Sequence, residues 1–102
     1  MWALCMFDLP VKTQQQRKAA HDFRMHLLDL GFGLAQYSVY MRVCGGGKEE
    51  LDTVAQKVEF AVPPAGKVYI LWFTDKQFEN ILRFHNSKKQ PQQKNPQQLL
   101  LL

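Results

Sequence analysis

The chain has 102 residues, 46% of them hydrophobic, so it is long enough for one globular core and too short for two domains. Thirteen Lys and Arg side chains against nine Asp and Glu give a net charge of +4, which favours anionic partners without defining one. Residues 1–75 hold eight basic and eight acidic side chains, whereas residues 76–102 hold five basic side chains and Glu79 alone. The sequence therefore predicts a neutral core domain followed by a basic tail.

No segment of the sequence has the character of a membrane anchor. A basic leader is missing before the first apolar run, residues 2–7, and no apolar segment approaches the roughly 20 residues that a spanning helix needs. Cys5 and Cys44 stand in apolar stretches without a second thiol at ligand spacing, which predicts buried free thiols. We therefore expect a cytoplasmic protein.

The first part of the chain predicts a strand followed by a helix. Residues 2–7 form an uninterrupted apolar run that suits a strand, and Pro10 ends it because the residue before a proline avoids helical geometry. Asp8 is thereby held at the carboxyl end of the strand. Thr13 with a Gln three residues later is a capping-box signature, and apolar residues at helical spacing predict a helix over residues 14–30.

The middle of the chain predicts a bent strand, a helix and a further strand. Residues 32–44 alternate in polarity, as extended chain does, and are long for one strand, so we expect a bend or a tight hairpin near Ala35. The glycines at 45–47 break the chain, and helical spacing predicts a second helix over residues 48–59. Residues 67–74 are β-branched and aromatic, which favours a strand.

The end of the chain has a different composition. We predict a folded domain over residues 1–84 and a basic, Gln- and Pro-rich tail over residues 85–102 that is partly disordered or docks a partner. Residues 78–84 fit neither a helix nor a strand pattern clearly. The four leucines at 99–102 are a candidate docking strand.

The order of elements predicts an α+β fold. It is a ferredoxin-like βαββαβ sandwich, in which two helices cover one face of an antiparallel sheet. Residues 2–7 and 68–73 are apolar on both faces, and an uncovered face would expose on the order of several hundred Å² of apolar surface. A second copy of the same sheet is the simplest cover for so short a chain, which predicts a face-to-face C2 homodimer.

Asp8 is the leading candidate for chemistry, because a carboxylate at the end of a buried strand lies at the rim of a sheet. Mg²⁺ takes one or two carboxylates together with waters and substrate phosphates, so Asp8 from each protomer near a two-fold axis would make a metal site. The alternative, favoured by spacing alone, is that Asp8 caps the turn before Pro10.

A basic stripe on the first predicted helix is the candidate for phosphate binding. Arg17, His21 and Arg24 share one side of that helix, and Lys12 precedes its amino end. The alternative, which charge patterning favours, is a solvated helix face balanced by acidic neighbours.

Several aromatic residues lie in the predicted strands. They are candidates for stacking on nucleobases, although core or dimer packing is the favoured role. These residues are Tyr37, Tyr40, Tyr69 and Trp72.

Five short elements are specific as an ordered set. They are Phe7-Asp8-Leu9-Pro10, Phe23-Arg24, Gly31-Phe32, Gln36-Tyr37-Ser38-Val39-Tyr40 and Thr74-Asp75-Lys76-Gln77-Phe78. Over residues 2–84 the chain resembles the smaller of the two universal adaptation subunits of CRISPR systems, and the last element is similar to versions from type II systems.

That resemblance implies a homodimer with sheets packed face to face and a carboxyl-terminal strand that adds to the partner's sheet. In that family the dimer bridges dimers of the CRISPR integrase subunit and carries a duplex DNA prespacer. By similarity, Asp8 matches the first-strand aspartate that binds Mg²⁺ in members described as endoribonucleases or DNases. Lys12, Arg17 and Arg24 are then the candidates for contacts with the nucleic-acid backbone.

Two main hypotheses follow. The first is a scaffold that binds duplex DNA during spacer acquisition, with a main role that is not catalytic. The second is a Mg²⁺-dependent endonuclease that uses paired Asp8 carboxylates. A toxin-like RNase that acts without an integrase partner is a third alternative.

Overall fold

The computed structural model describes residues 1–93. The sequence predictions that concern residues 94–102, including the four leucines at the end, lie outside this range. The elements are β1 (Trp2–Asp8), α1 (Gln14–Asp29), β2 (Gly33–Gln36), β3 (Val39–Val43), α2 (Gly47–Ala61), β4 (Lys67–Phe73), α3 (Asp75–Glu79), β5 (Phe84–His85) and β6 (Lys88–Lys89).

Strands β1 to β4 form one antiparallel sheet in the order β2-β3-β1-β4. This arrangement confirms the predicted ferredoxin-like α+β fold. The predicted capping box is present, since the Thr13 hydroxyl accepts from the Gln16 backbone N–H at 3.0 Å and the Gln16 side chain accepts from the Thr13 backbone N–H at 3.1 Å. None of the helices within residues 1–93 has the length and apolar character that crossing a membrane requires.

The stretch predicted as a bent strand contains both a bulge and a hairpin. The ladder between β2 and β3 shifts register between Leu34 and Gln36, where the bend near Ala35 was expected. The turn itself follows at Tyr37 and Ser38, and Ser38 adopts a left-handed φ of 61°. Because Ser takes the position that Gly or Asn usually fills, no turn dipeptide marks it in the sequence.

Helices α1 and α2 cover one face of the sheet. Ala3, Cys5 and Phe7 of β1 point to these helices and are buried against side chains such as Phe23 of α1 and Val58 of α2. The two cysteines are buried free thiols, as predicted, and burial raises the pKa of Cys5 to about 12.

The opposite face of the sheet is covered in part by α3, which the sequence analysis did not predict. The Phe78 ring of α3 stacks on the Trp2 ring, with centroids 4.0 Å apart and an interplanar angle of 12°. Met41 of β3 completes this second buried cluster. The expectation that helices cover only one face is thus corrected, because a one-turn element after β4 reaches the other side.

The short hairpin of β5 and β6 begins at Phe84 and continues past the predicted end of the folded domain at residue 84. The backbone turns at Asn86 and Ser87, both with positive φ. The segment that follows borders an open groove of about 700 Å³ on the second face, and the buried Gln93 side chain lines this groove. The division into domain and tail remains a prediction.

Candidate nucleic-acid interface

Asp8 ends β1 on the face of the sheet that α1 and α2 do not cover. Side chains alternate along a strand, so Asp8 shares a face with Met6, Leu4 and Trp2. Its carboxylate is exposed, and the ion pairs found within residues 1–93 do not involve it. The structure therefore leaves Asp8 accessible at the rim of the sheet.

The backbone after Asp8 is held by a close approach from the start of β4. A Cβ added to Gly66 would lie 2.7 Å from the Asp8 carbonyl oxygen and 3.1 Å from the Leu9 Cα. Gly66 also has a φ of +101°, which side chains rarely adopt. Any other residue at position 66 would therefore strain the backbone and force the chain around Asp8 and Leu9 to shift.

The end of β1 opens into a cleft of about 220 Å³. Asp8 lines it together with Tyr37 and Ser38 from the hairpin turn, and with Lys67 and Tyr69 from β4. Lys67 is the register partner of Asp8 across the β1–β4 ladder. The cleft thus combines a carboxylate, an amine and three aromatic residues, Phe7, Tyr37 and Tyr69.

Within residues 1–93, no group of three or more His, Cys, Asp or Glu side chains is gathered for a metal ion. At this cleft one chain therefore offers a metal ion a single carboxylate, that of Asp8. Such a set suits Mg²⁺, which retains waters and binds substrate phosphates, provided that a second carboxylate comes from elsewhere.

The predicted basic stripe is divided between two different environments. The Arg17 guanidinium donates to the backbone oxygens of Val11 and Lys12, at 3.2 and 3.1 Å, and so ties the loop before α1 to the helix. Lys12 itself is exposed, as is His21. At the amino end of α1, Lys12 is therefore the freer cation, and Arg17 retains exposed surface beside it.

Arg24 lies elsewhere and packs on aromatic rings. Its guanidinium carbon is 5.9 Å from the Phe7 ring centroid and 5.7 Å from the Tyr37 ring centroid. This contact joins α1 to the β2–β3 turn and was missed by sequence analysis, because it depends on how the helix lies on the sheet. Of the other aromatic candidates, Tyr40 is buried in the core, whereas Tyr69 and Trp72 are exposed on β4.

The fold and the site together define the class of protein. It is a small ferredoxin-like α+β protein with a carboxylate at the rim of a half-covered sheet and cations along its first helix. Residues 1–81 match the family model described as CRISPR associated protein Cas2. The chain belongs to this family.

Curated relatives support the assignment along nearly the whole chain. A CRISPR-associated endoribonuclease Cas2 from Paracidovorax avenae is 51% identical over 98 residues, which cover 96% of this chain and 90% of the relative. One from Parvibaculum lavamentivorans is 42% identical over 101 residues, 99% of each chain. One from Flavobacterium psychrophilum is 38% identical over 101 residues, 99% of this chain and 87% of the relative.

Proposed function

We propose that this chain is a cytoplasmic subunit of CRISPR adaptation that forms a face-to-face homodimer, holds duplex prespacer DNA and bridges dimers of the integrase subunit. The observation that carries the proposal is the part of the second sheet face that α3 leaves open. Met6 is 39% exposed, Leu71 44% and Tyr69 58%, on adjacent strands of a sheet whose other face is covered.

These three side chains form one continuous apolar patch. Met6 and Tyr69 are register partners between β1 and β4. Leu71 lies two residues after Tyr69 on the same face of β4, and its register partner is Leu4. A second copy related by a two-fold axis would place the same patch on itself, and an apolar patch of this kind is unfavourable in water. Dimerisation would thus bury the open half of the face.

The proposed duplex binding depends on cations from both protomers, of which Lys12 and Arg17 are exposed and Arg24 is half-buried. Lys12 precedes α1, Arg17 lies in its first turn, and Arg24 lies two turns further along the helix than Arg17. If each protomer contacts about three phosphates, the logarithm of affinity should fall with the logarithm of salt concentration at a slope near −5. A scaffold needs such contacts to the backbone and no contacts to base edges.

The scaffold proposal is tested by three measurements on the full chain. Sedimentation at micromolar concentration should give twice the monomer mass of 11.9 kDa. Duplex DNA should bind with the salt slope given above, and a CRISPR integrase subunit from the same organism should be retained by this chain in co-purification. A stable monomer, a salt-insensitive affinity or a failure to retain the integrase would contradict the proposal.

The second candidate is a Mg²⁺-dependent endonuclease, favoured by the position of Asp8 and by the endoribonuclease names of the relatives. Asp8 lies on the same face as the open patch, and the endonuclease proposal places the two-fold axis near the end of β1, so that the two Asp8 carboxylates approach each other. The pair would hold Mg²⁺, which activates water and neutralises phosphate charge when bound. Asp8 would keep the ion at the rim of the sheet, where a strand of nucleic acid can reach it.

Asp8→Asn separates the two candidates because it removes the charge and keeps the side-chain shape. If the endonuclease proposal holds, this variant loses metal-dependent cleavage of RNA or DNA and still binds duplex DNA. Asp52→Asn, which changes an exposed carboxylate on α2, serves as the matched control and should cleave normally. Cleavage by Asp8→Asn at the unmodified rate would exclude paired Asp8 as the agent.

A further inference from the structure

Tyr37 is an exposed aromatic ring in a well-defined position. It occupies the two-residue turn between β2 and β3, and its side chain is 81% exposed. The backbone N–H of Phe7 donates to the carbonyl oxygen of Ser38 at 3.1 Å, which ties this turn to the end of β1. The ring therefore projects from a fixed turn beside the Asp8 cleft.

Arg24 holds one side of that ring. Arg24 is a half-buried residue, and its guanidinium carbon lies 5.7 Å from the Tyr37 ring centroid and 5.9 Å from the Phe7 ring centroid. The hydrogen bonds and ion pairs found within residues 1–93 give the Arg24 guanidinium no acceptor. An arginine that lies near aromatic rings without a hydrogen-bond acceptor keeps its N–H groups available, and their fork suits a phosphate.

The high exposure of Tyr37 leaves room for a second planar group on its ring. A nucleobase has a suitable π face and gains stacking energy on an aromatic side chain with little dependence on its identity. In a duplex, each base already stacks on its neighbours, so an exposed ring of this kind selects unpaired bases. Lys67 lines the adjoining cleft together with Tyr37 and offers a cation to a neighbouring phosphate of such a strand.

We propose that Tyr37 and Arg24 form a platform for an unpaired nucleotide, whose base stacks on Tyr37 and whose phosphate pairs with Arg24. Arg24 also positions the Tyr37 ring. The ligand is a single-stranded segment of RNA or DNA, and the inference rests on the nucleic-acid binding proposed above. It goes beyond that proposal by adding a base-dependent contact to a surface otherwise expected to bind phosphates alone.

The test compares strands with and without bases. Binding of the full-length protein to a labelled single strand is measured in the presence of EDTA, which prevents metal-dependent cleavage. A second strand of equal length carries abasic sugars throughout and so retains every phosphate. The unmodified protein should bind the strand with bases roughly 5- to 150-fold more tightly.

Variants assign the effect to the platform. Tyr37→Ala should remove the preference for bases, whereas Tyr37→Phe should keep it because the ring remains. Phe60→Ala is the matched control, since Phe60 is an aromatic residue on α2 that is 94% exposed. Arg24→Lys keeps the charge and loses the guanidinium group beside the Tyr37 ring, so it should reduce the preference and leave the salt slope unchanged.

The outcomes distinguish this inference from the proposed function. Equal binding of abasic and base-containing strands by the unmodified protein would overturn the platform, as would a preference that survives in Tyr37→Ala. If duplex DNA still binds in those cases, the proposed function stands and the platform alone fails. If no nucleic acid binds at all, both fail. The measurement is made with RNA and with DNA strands. A base preference with either strand supports the platform and shows which of the two nucleic acids it binds.

Discussion

Trp2 and Phe78 stack face to face although they lie near opposite ends of the described chain, with ring centroids 4.0 Å apart. Trp2 is the first residue of β1, and Phe78 belongs to α3, directly after the last strand of the sheet. Their contact closes one half of the second sheet face and leaves the half around Met6 and Tyr69 open. The open half is the part available for a second copy.

Phe78→Ala should destabilise the fold by about 3–5 kcal/mol, because it leaves a cavity beside Trp2 where Phe78 is only 4% exposed. Urea unfolding followed by tryptophan fluorescence measures this change. Phe60→Ala, at an exposed position on α2, makes the same chemical change and should stay within about 0.5 kcal/mol of the unmodified protein. Equal effects of the two substitutions would contradict the burial of Phe78.

Leu71→Lys should weaken the proposed dimer roughly tenfold or more, because it would place an unpaired charge in the interface. Sedimentation equilibrium gives the dissociation constant. Leu28→Lys on α1 adds the same charge at an equally exposed apolar position, 45% against 44%, and should leave the constant unchanged. If Leu71→Lys sediments as the unmodified protein does, the open patch is not the interface.

Gly66→Ala should cost about 1–3 kcal/mol or more, because its Cβ would lie 2.7 Å from the Asp8 carbonyl oxygen at a backbone φ of +101°. The added methyl group would be accommodated by a movement of the Asp8 backbone, so under the endonuclease proposal metal-dependent cleavage should fall as well. Gly45→Ala is the matched control, since its added Cβ meets nothing within 4 Å. Thermal unfolding of both variants checks the difference, and a stable Gly66→Ala would refute the close approach.

Glu50 links stability to pH at the start of α2. Its carboxylate accepts from the Gly46 backbone N–H at 2.7 Å and pairs with Arg42 at 3.2 Å. The Gly46 hydrogen bond, with Arg42 as a second cause, lowers the pKa of Glu50 below its ordinary value of 4.5. A carboxylate with a lowered pKa in the folded state stabilises the protein above the unfolded value and loses this contribution as the pH falls through the folded value.

Glu50→Gln should therefore reduce stability at neutral pH, and the difference from the unmodified protein should shrink in acid as Glu50 takes up its proton. Denaturant midpoints measured across this range test the sign. A deficit that is the same at every pH would show that the charge of Glu50 has no role.

Local patterns in the sequence were sufficient for much of the fold. The capping box at Thr13, the strand end at Asp8 and the uninterrupted apolar run of β1 depend on residues within a few positions of one another, so they can be recognised without the tertiary structure. The same patterns predicted a sheet that is apolar on both faces and an Asp8 side chain at its rim.

Only the tertiary structure decided how those pieces meet. Phe78 reaches Trp2, and Arg24 stacks on Tyr37, because separate elements are brought together by the packing of helices on the sheet. No periodicity within one segment encodes such contacts, since they depend on the twist of the sheet and on the path of the chain after β4. For the same physical reason, the structure and not the sequence determines which half of the second face stays open.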